Sequence, residues 1–286
     1  MYEVTAEARL AHVTDWAGNF ISLSVVAARD DTILVADALR SVALLRFESS
    51  GLPVLVEVAR DFNTYYMTAI ERLGNPEDTS NEKPEYIGAD ADLNLFSLQK
   101  ENVTSARSVA DEYALASRGA FHLGQLVTKF AHGTFLILFA DQALVTDCRT
   151  GALVPRLGDR SSQIHPRLVY ATSAGGIGTI AEIDDTTTSN LITSLERNLR
   201  SVFATDNAVV TGADGSSHED WRAYKSDRRV QPAAGFIDGD FVEKVLDLEQ
   251  GEQLERIRKG QNDHEMIDEI EWKETLRVVE ELARLH

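Results

Sequence analysis

The chain has 286 residues, 43% apolar content and a net charge of −18. The apolar content suffices for one substantial core or two small ones, and the charge argues against a general nucleic-acid binder, because a free chain this acidic repels phosphate. A single cysteine, Cys148, excludes an internal disulfide and a thiolate metal cluster; the apolar run from Phe135 to Val145 is broken by Asp141 and is too short to span a membrane. No basic region and long apolar run follow Met1, so no signal peptide is read.

Residues 1–18 carry little pattern. Asn19 to Ala27 is apolar or small throughout and predicts a strand. Asp30-Asp31 turns the chain. Strands follow at Thr32 to Ala36, Val42 to Phe47 and Val54 to Ala59, joined by short polar connections. Four short strands in about 40 residues have the density of a propeller blade. Arg60-Asp61-Phe62 and Arg40-Ser41 read as turn-fixing sets inside this sheet, and Asp37 with Arg40 reads the same way.

The pattern continues with a strand at Tyr66 to Leu73, an exposed loop from Gly74 to Pro84, and a strand pair at Tyr86 to Ala89 and Leu93 to Leu98. Glu101 to Ser117 is ambiguous between a loop and a short helix. Phe121 to Phe130 and Thr134 to Phe139 predict a further pair, and Asp147 to Pro166 a polar hairpin loop. Leu168 to Ile183 reads as two strands around a Gly175-Gly176 turn. About eleven strands make close to three blades, whereas closed propellers typically have four to eight. The fold class is therefore mainly β, an incomplete WD-like β-propeller over residues 1–185, followed by a small helical domain over residues 186–286.

The helical part opens where Asp184 and Asp185 can cap a helix with Leu191, Leu195, Leu199 and Val202 on one face and a Glu196–Arg200 pair four apart. Ala208 to Val210 is a short strand candidate. Asp240 and Glu243 fit a capping box for a helix to about Leu248. Glu252 to Lys259 continues after Gly251. The last helix is expected from about His264 to Arg284, with Trp272, Leu276, Val279 and Ala283 along one side.

Catalytic chemistry is thin. Gly175, Gly176 and Gly178 lack the phosphate-loop spacing and precede a strand rather than a helix, so they read as a hairpin turn. His122, His132 and His165 show no metal-ligand spacing. Asp238 and Asp240 sit at a helix start, where acids favour exposed N–H groups. Ser24, Ser41 and Ser173 lack a nucleophile elbow. Trp221 to Arg229 is the most basic patch; its mix of aromatic and basic residues is a weak signal for nucleic acid and reads sooner as a clamp between sheet and helices. No enzyme, cofactor or metal is expected.

Seven runs give the chain a resemblance: ILVADALRSVALLRF (Ile33 to Phe47), VARDFNTYYMTAIERL (Val58 to Leu73), YIGADADLNLFSLQKE (Tyr86 to Glu101), FHLGQLVTKFAHGTF (Phe121 to Phe135), WRAYKSDRR (Trp221 to Arg229), PAAGFIDGDFVEKVLDL (Pro232 to Leu248) and LRVVEELARLH (Leu276 to His286). The chain resembles the C-terminal part of the large subunit of the UV-damaged DNA-binding complex, the adaptor of cullin-RING ubiquitin ligases. The same family holds the large subunit of the cleavage and polyadenylation specificity factor and a splicing factor 3b subunit. The resemblance implies the latter part of a third seven-bladed propeller plus a helical domain, without the first two propellers.

It also implies a nuclear, non-catalytic scaffold whose DNA contacts run through partner subunits. In that family a cleft between the first and third propellers takes a helical segment of a substrate receptor. The third propeller's share maps onto Ile21, Leu23 and Ser24, onto Tyr66 where the family usually has Trp, and onto Leu126 and Thr128 where it tends to have Phe and Asn. A partner helix needs such aliphatic and aromatic anchors, although Ile21 and Leu23 would serve equally as packing between blades.

Overall fold

The computed structural model describes residues 1–5, 7–28, 31–73, 85–101, 114–133, 144–146, 153–155, 164–183, 185–205, 234–248, 251–260 and 266–283. The chain divides into two compact units. One comprises Met1–Ala131, Tyr170–Gly176 and Lys225–Gly235; the other comprises His132–Val169, Ile177–Tyr224 and Phe236–His286.

The first unit opens with a small hairpin, β1 (Tyr2–Val4) and β2 (Leu10–His12), in the stretch where the sequence shows little pattern. Two four-stranded antiparallel sheets follow. The first runs β3 (Ser22–Ala27), β4 (Thr32–Asp37), β5 (Ser41–Glu48), β6 (Val54–Arg60) in simple order. The second runs β7 (Met67–Arg72), β8 (Glu85–Asp90), β9 (Asn94–Lys100), β10 (Leu115–His122) in the same up-and-down manner. This is the blade pattern expected from the strand density.

The middle strands are buried on both sides, because successive residues point to opposite faces and both faces are covered. In β4 and β5, Leu34 to Asp37 and Ser41 to Leu45 are continuously buried; β8 and β9 repeat this from Tyr86 to Asp90 and Asn94 to Gln99. On one face Leu34, Ala36, Val42 and Leu44 pack with Met67, Ile70, Tyr86, Phe96 and Leu98 of the second sheet. On the other face Val35, Ala43 and Leu45 pack with Trp16 and Ile33. The first strand of one sheet lies against the first strand of the next, β3 on β7, and Arg72 Nη1 donates to the Ala28 carbonyl at 3.0 Å.

Several expected boundaries move. The strand expected from Asn19 begins at Ser22, because the Phe20 and Ile21 amides turn toward the Asp37 carboxylate instead of a ladder partner. The strand expected over Phe121 to Phe130 is two strands. β10 ends at His122, and β11 (Val127–His132) starts in another sheet. Between them Gly124 takes φ 74°, and the amides of Leu123 and Gly124 both donate to the Leu93 carbonyl. The Leu93 strand start slips to Asn94, since Leu93 itself sits at φ 68°. Within the ambiguous Glu101 to Ser117 stretch, β10 begins at Leu115, and 102–113 lie outside the described residues. The expected strands at Thr134 to Phe139 and Ala208 to Val210, and the Trp221 to Arg229 patch, also lie outside them.

A three-stranded sheet orders β11, β14 (Ile164–Thr172) and β15 (Ile177–Ile183), and β12 (Leu144–Thr146) pairs with β13 (Leu153–Pro155). At the β14–β15 turn only Gly175 takes positive φ, 86°; Gly176 is required for space, since a Cβ there would lie 2.6 Å from Gln125 Oε1 and 2.9 Å from Thr172 Oγ1. In the second unit, α1 (Thr186–Thr205) is capped by Asp185, which accepts from the Thr188 amide at 2.7 Å and from its hydroxyl at 2.9 Å. Ile192, Leu195 and Leu199 form the buried stripe of α1.

The expected Asp240–Glu243 capping box is not formed. Asp238 caps α2 (Gly239–Val242) by accepting from Phe241 N, and a 3-10 turn over Glu243–Asp247 completes the segment. The capping box lies instead at Asp268 and Glu271, opening α4 (Glu269–Leu282) a turn later than His264. Between them stands α3 (Glu252–Lys259), whose Ile257 carbonyl accepts from Asn198 Nδ2 of α1 at 2.9 Å.

Candidate interaction face

The registers Ser22↔Asp37, Asp37↔Ser41 and Ala43↔Arg60 bring the start of β3, the β4–β5 turn and the β6–β7 connection to one end of the first sheet. That end carries a cluster of exposed large side chains. Phe20 is 62% exposed, Ile21 50%, Leu23 53%, Leu39 47%, Phe62 63% and Tyr66 41%. Leu23 occupies the register shift between Ser22 and Ser24, which turns its side chain out of the alternation. Exposed aromatics and aliphatics gathered this way mark an interaction surface more often than a solvated one.

Buried carboxylates hold the backbone beneath the cluster. Asp37 is 3% exposed, and its oxygens accept from four amides: Phe20 at 2.5 Å, Ile21 at 2.8 Å, Leu39 at 2.8 Å and Arg40 at 2.9 Å. Burial by itself would push this carboxyl up, but the N–H bonds from Leu39, Phe20, Arg40 and Ile21 together hold it below the ordinary carboxylate value. The Gly18 carbonyl accepts from Arg40 Nη1 at 2.9 Å and Arg60 Nη2 at 3.1 Å, which fixes the approach to β3. Ser41, at φ 58°, donates its hydroxyl to Asp61 Oδ2 at 2.5 Å; Asp61 Oδ1 accepts from Asn63 N and Nδ2 at 3.1 and 2.8 Å.

The second sheet repeats the device at the same end. Asp90 accepts from Asn94 N at 2.9 Å and Asn94 Nδ2 at 3.2 Å, and Asn94 Oδ1 meets His122 Nδ1 at 2.8 Å. Burial dominates at Asp90 and raises its pKa against the Asn94 hydrogen bonds. Tyr65 stacks on Phe96 with ring centroids 4.0 Å apart, and burial, then the carboxylates of Asp61 and Asp90, raise its phenol. Tyr66 follows on the exposed side, its carbonyl held by Ala91 N at 2.8 Å.

Of the residues expected from sequence, Ile21, Leu23 and Tyr66 share this end and are exposed. Ser24 is half-buried, on the β3 face that turns toward the second sheet with Val26. Leu126 is half-buried, and its carbonyl accepts from Ser173 N at 2.9 Å; Thr128 is exposed, with its hydroxyl donating to the Ala171 carbonyl at 3.1 Å. Phe20, Leu39 and Phe62 were not read from sequence as partner contacts. Leu39 and Phe62 carried a signal, as large apolar residues in connections between expected strands; Phe20 carried none, because it falls inside the strand expected over Asn19 to Ala27.

Among the described residues no group of three or more His, Cys, Asp and Glu is gathered to hold a metal, and no helix is long and apolar enough to cross a membrane. Fold and surface define a propeller-type protein: two complete four-stranded sheets, more strands beyond them, a helical C-terminal part and a set of exposed apolar side chains at one end of the first sheet. The chain belongs to the family of the CPSF A subunit region, whose model matches residues 1–247. It is similar to DNA damage-binding protein 1b of Arabidopsis thaliana, with 30% identity over 269 residues, covering 94% of this chain and 20% of the relative. DNA damage-binding protein 1 of Solanum lycopersicum matches to the same extent, and that of Oryza sativa subsp. japonica is 30% identical over 258 residues, covering 90% of this chain and 20% of the relative. The chain therefore spans about a fifth of the length of the curated relatives it matches.

Proposed function

We propose that this chain is a non-catalytic scaffold, the receptor-binding share of a damaged-DNA-binding adaptor that serves DNA repair and protein ubiquitination in the nucleus. Its propeller share is residues 1–185 and its helical share residues 186–286. The partner is a helical segment of a substrate receptor, seated on Ile21, Leu23, Ser24, Tyr66, Leu126 and Thr128, with Phe20, Leu39 and Phe62 extending the contact. Nucleic acid is reached through partners, consistent with the charge of −18.

The carrying observation is the cluster of six exposed large apolar side chains on backbone pinned from below by Asp37 and Asp61. A rigid apolar platform suits a preformed amphipathic helix, because neither side pays much ordering entropy on binding. A scaffold in messenger-RNA 3′-end processing or splicing is the second reading, favoured by the match to the CPSF A subunit region.

The test is a photo-crosslinkable amino acid at position 66 of the full chain in cells, followed by identification of the crosslinked peptides. Helical segments of ubiquitin-ligase receptors are the expected result, and RNA-processing subunits would select the second reading. Absence of any specific protein crosslink at positions 23, 62 and 66 would overturn both. For a partner so identified, Leu23→Ala or Tyr66→Ala should each weaken binding by about 1–3 kcal/mol.

A further inference from the structure

We infer that one end of the seam between the two four-stranded sheets binds a phosphorylated serine or threonine, carried on an apolar peptide segment of a partner protein, and that Arg46, Lys100 and Arg72 take the phosphate. Strand alternation sets the three cations on the facing walls of this seam. Val42 and Leu44 of β5 belong to the core shared by the two sheets, and Arg46 follows at the next position on that face. Phe96 and Leu98 of β9 belong to the same core, and Lys100 follows; Ile70 of β7 belongs to it, and Arg72 follows. At the end away from the Asp37 turn, the apolar core thus gives way to a cation on each of three strands.

Three observations point to an anion at these positions. The first is pairing. The chain has 46 acidic against 28 basic residues, yet among the described residues none of the three cations forms an ion pair; Glu48, the next position on the Arg46 face, forms none either. The second is proximity. Burial, and then the charge of Arg46, lower the Lys100 pKa from its ordinary value, so the two cations approach closely enough to repel. The third is Arg72. It uses Nη1 on the Ala28 carbonyl at 3.0 Å, while its Nε is buried with no hydrogen-bond partner. Like charges gathered and partly desolvated in this way oppose folding until an anion joins them.

The cations select the anion, and their surroundings select its carrier. A phosphate monoester carries close to two negative charges and three acceptor oxygens, so it can meet cations on both walls of the seam at once, which a single carboxylate does less well. Val56 is the cross-strand partner of Arg46, and Val54 lies two residues further on the same face; both are exposed, as is Leu52 in the adjoining turn. This ledge suits aliphatic residues flanking the phosphorylated one. Three aliphatic side chains give a nucleic-acid base no ring to stack on. A net charge of −18 opposes both a nucleic-acid strand and an anionic membrane surface.

The experiment follows the fluorescence anisotropy of a labelled peptide, Gly-Val-Leu-phosphoserine-Val-Leu-Gly, on titration with the full chain. Arg46→Gln and Lys100→Gln should each weaken binding at least fivefold, and Lys273→Gln, on the exposed face of α4, should leave it unchanged. Arg46 is exposed, so its variant should melt with the parent chain, which separates loss of binding from loss of fold. Acetylation of Lys100 by an N-hydroxysuccinimide ester, read by mass spectrometry against Lys129 and Lys273, should slow at least threefold with the peptide bound. The unphosphorylated peptide should bind at least twentyfold more weakly, and inorganic phosphate should compete at least tenfold more weakly than the phosphopeptide. Binding indifferent to the phosphate or to Arg46→Gln, or none below about 1 mM, would overturn the inference. Inorganic phosphate or a single-stranded DNA 12-mer competing as well as the phosphopeptide would overturn the assignment to a peptide. The site lies at the opposite end of the sheets from Asp37 and Tyr66, so its failure would leave the proposed receptor-binding role untouched.

Discussion

Asp37 accepts from four backbone amides beneath the exposed apolar side chains, and its replacement has a calculable cost. Its carboxylate satisfies the amides of Phe20, Ile21, Leu39 and Arg40, and it is itself 3% exposed. Asp37→Ala strands four donors, and stranded buried donors cost about 1–3 kcal/mol each when taken singly, less than additively when the backbone relaxes together. The expected loss is about 3–5 kcal/mol, a large fraction of a typical domain's stability. Asp37→Asn keeps one acceptor oxygen but turns an NH2 group toward two donors, and should cost about 2–3 kcal/mol.

The assay is urea unfolding followed by Trp16 fluorescence, with Trp221 and Trp272 replaced by Phe so that the first unit alone reports. The pH dependence tests the cause. Because the folded pKa is depressed, the carboxylate contributes stability that is fully present above the unfolded value of about 3.9 and is lost as pH falls through the folded value. The gap between wild type and Asp37→Asn should thus be full at neutral pH and narrow below about pH 4. A cost under about 0.5 kcal/mol, within the range of ordinary surface substitutions, or a gap independent of pH, would refute the reasoning.

Three further outcomes follow from contacts elsewhere. Gly176→Val should destabilise by about 1–3 kcal/mol in a thermal melt through collision with Gln125 and Thr172, unchanged by added nucleotide, and Gln125→Ala should recover part of the loss. Asn198→Ala should cost about 1–3 kcal/mol by orphaning the Ile257 carbonyl, and hydrogen exchange should quicken first in the last turn of α3. Burial raises the Glu196 pKa against the opposing Arg200 charge, so the folded state binds its proton more tightly than the unfolded state; stability should fall as pH rises from about 4.3 through the folded value, and Glu196→Gln should flatten that slope in melting curves across pH 4–8.

The strand pattern and the switch to helix at Thr186 were legible because apolar periodicity changes there from short runs to three- and four-residue spacing. What escaped was set by tertiary contacts. The β1–β2 hairpin has three-residue strands exposed on both faces, so no alternation marks it. Phe121 to Phe130 reads as continuous because only Gly124 and Gln125 separate Leu123 from Leu126; the cause of the break is two amides captured by the distant Leu93 carbonyl. Asp37 was visible as a turn residue, but its hold on Phe20 and Ile21 spans sixteen and seventeen positions, beyond any local pattern. Asp240 and Glu243 have the right spacing for a capping box, yet Asp238 wins the cap because its side chain lies against Phe241 N while its amide reaches Glu196 Oε1 at 3.3 Å. Ile21, Leu23 and Tyr66 came from family resemblance; their exposure is not readable from a strand whose alternate residues are all apolar.

The two sheets solve the same problem with the same spacing, and this separates stability from recognition. Asp37 and Ser41 are four apart across the β4–β5 turn, as Asp90 and Asn94 are across the β8–β9 turn. In each turn a buried acid takes up amides that the ladder releases, and the buried polar set continues to Asp61 or His122. The exposed side chains sit above these anchors and support little beneath them. Alanine at Phe20, Leu39, Phe62 or Tyr66 should therefore leave the unfolding midpoint within about 0.5 kcal/mol of wild type, since each side chain is more than two-fifths exposed and transfers little area to water. The same substitutions should weaken partner capture by at least fivefold at two or more of the four positions, read by quantitative crosslinking yield at position 23. Loss of both stability and capture at all four would show that these residues pack against something structural. Retention of both would show that the face is merely solvated, and the partner must then be sought elsewhere on the sheets.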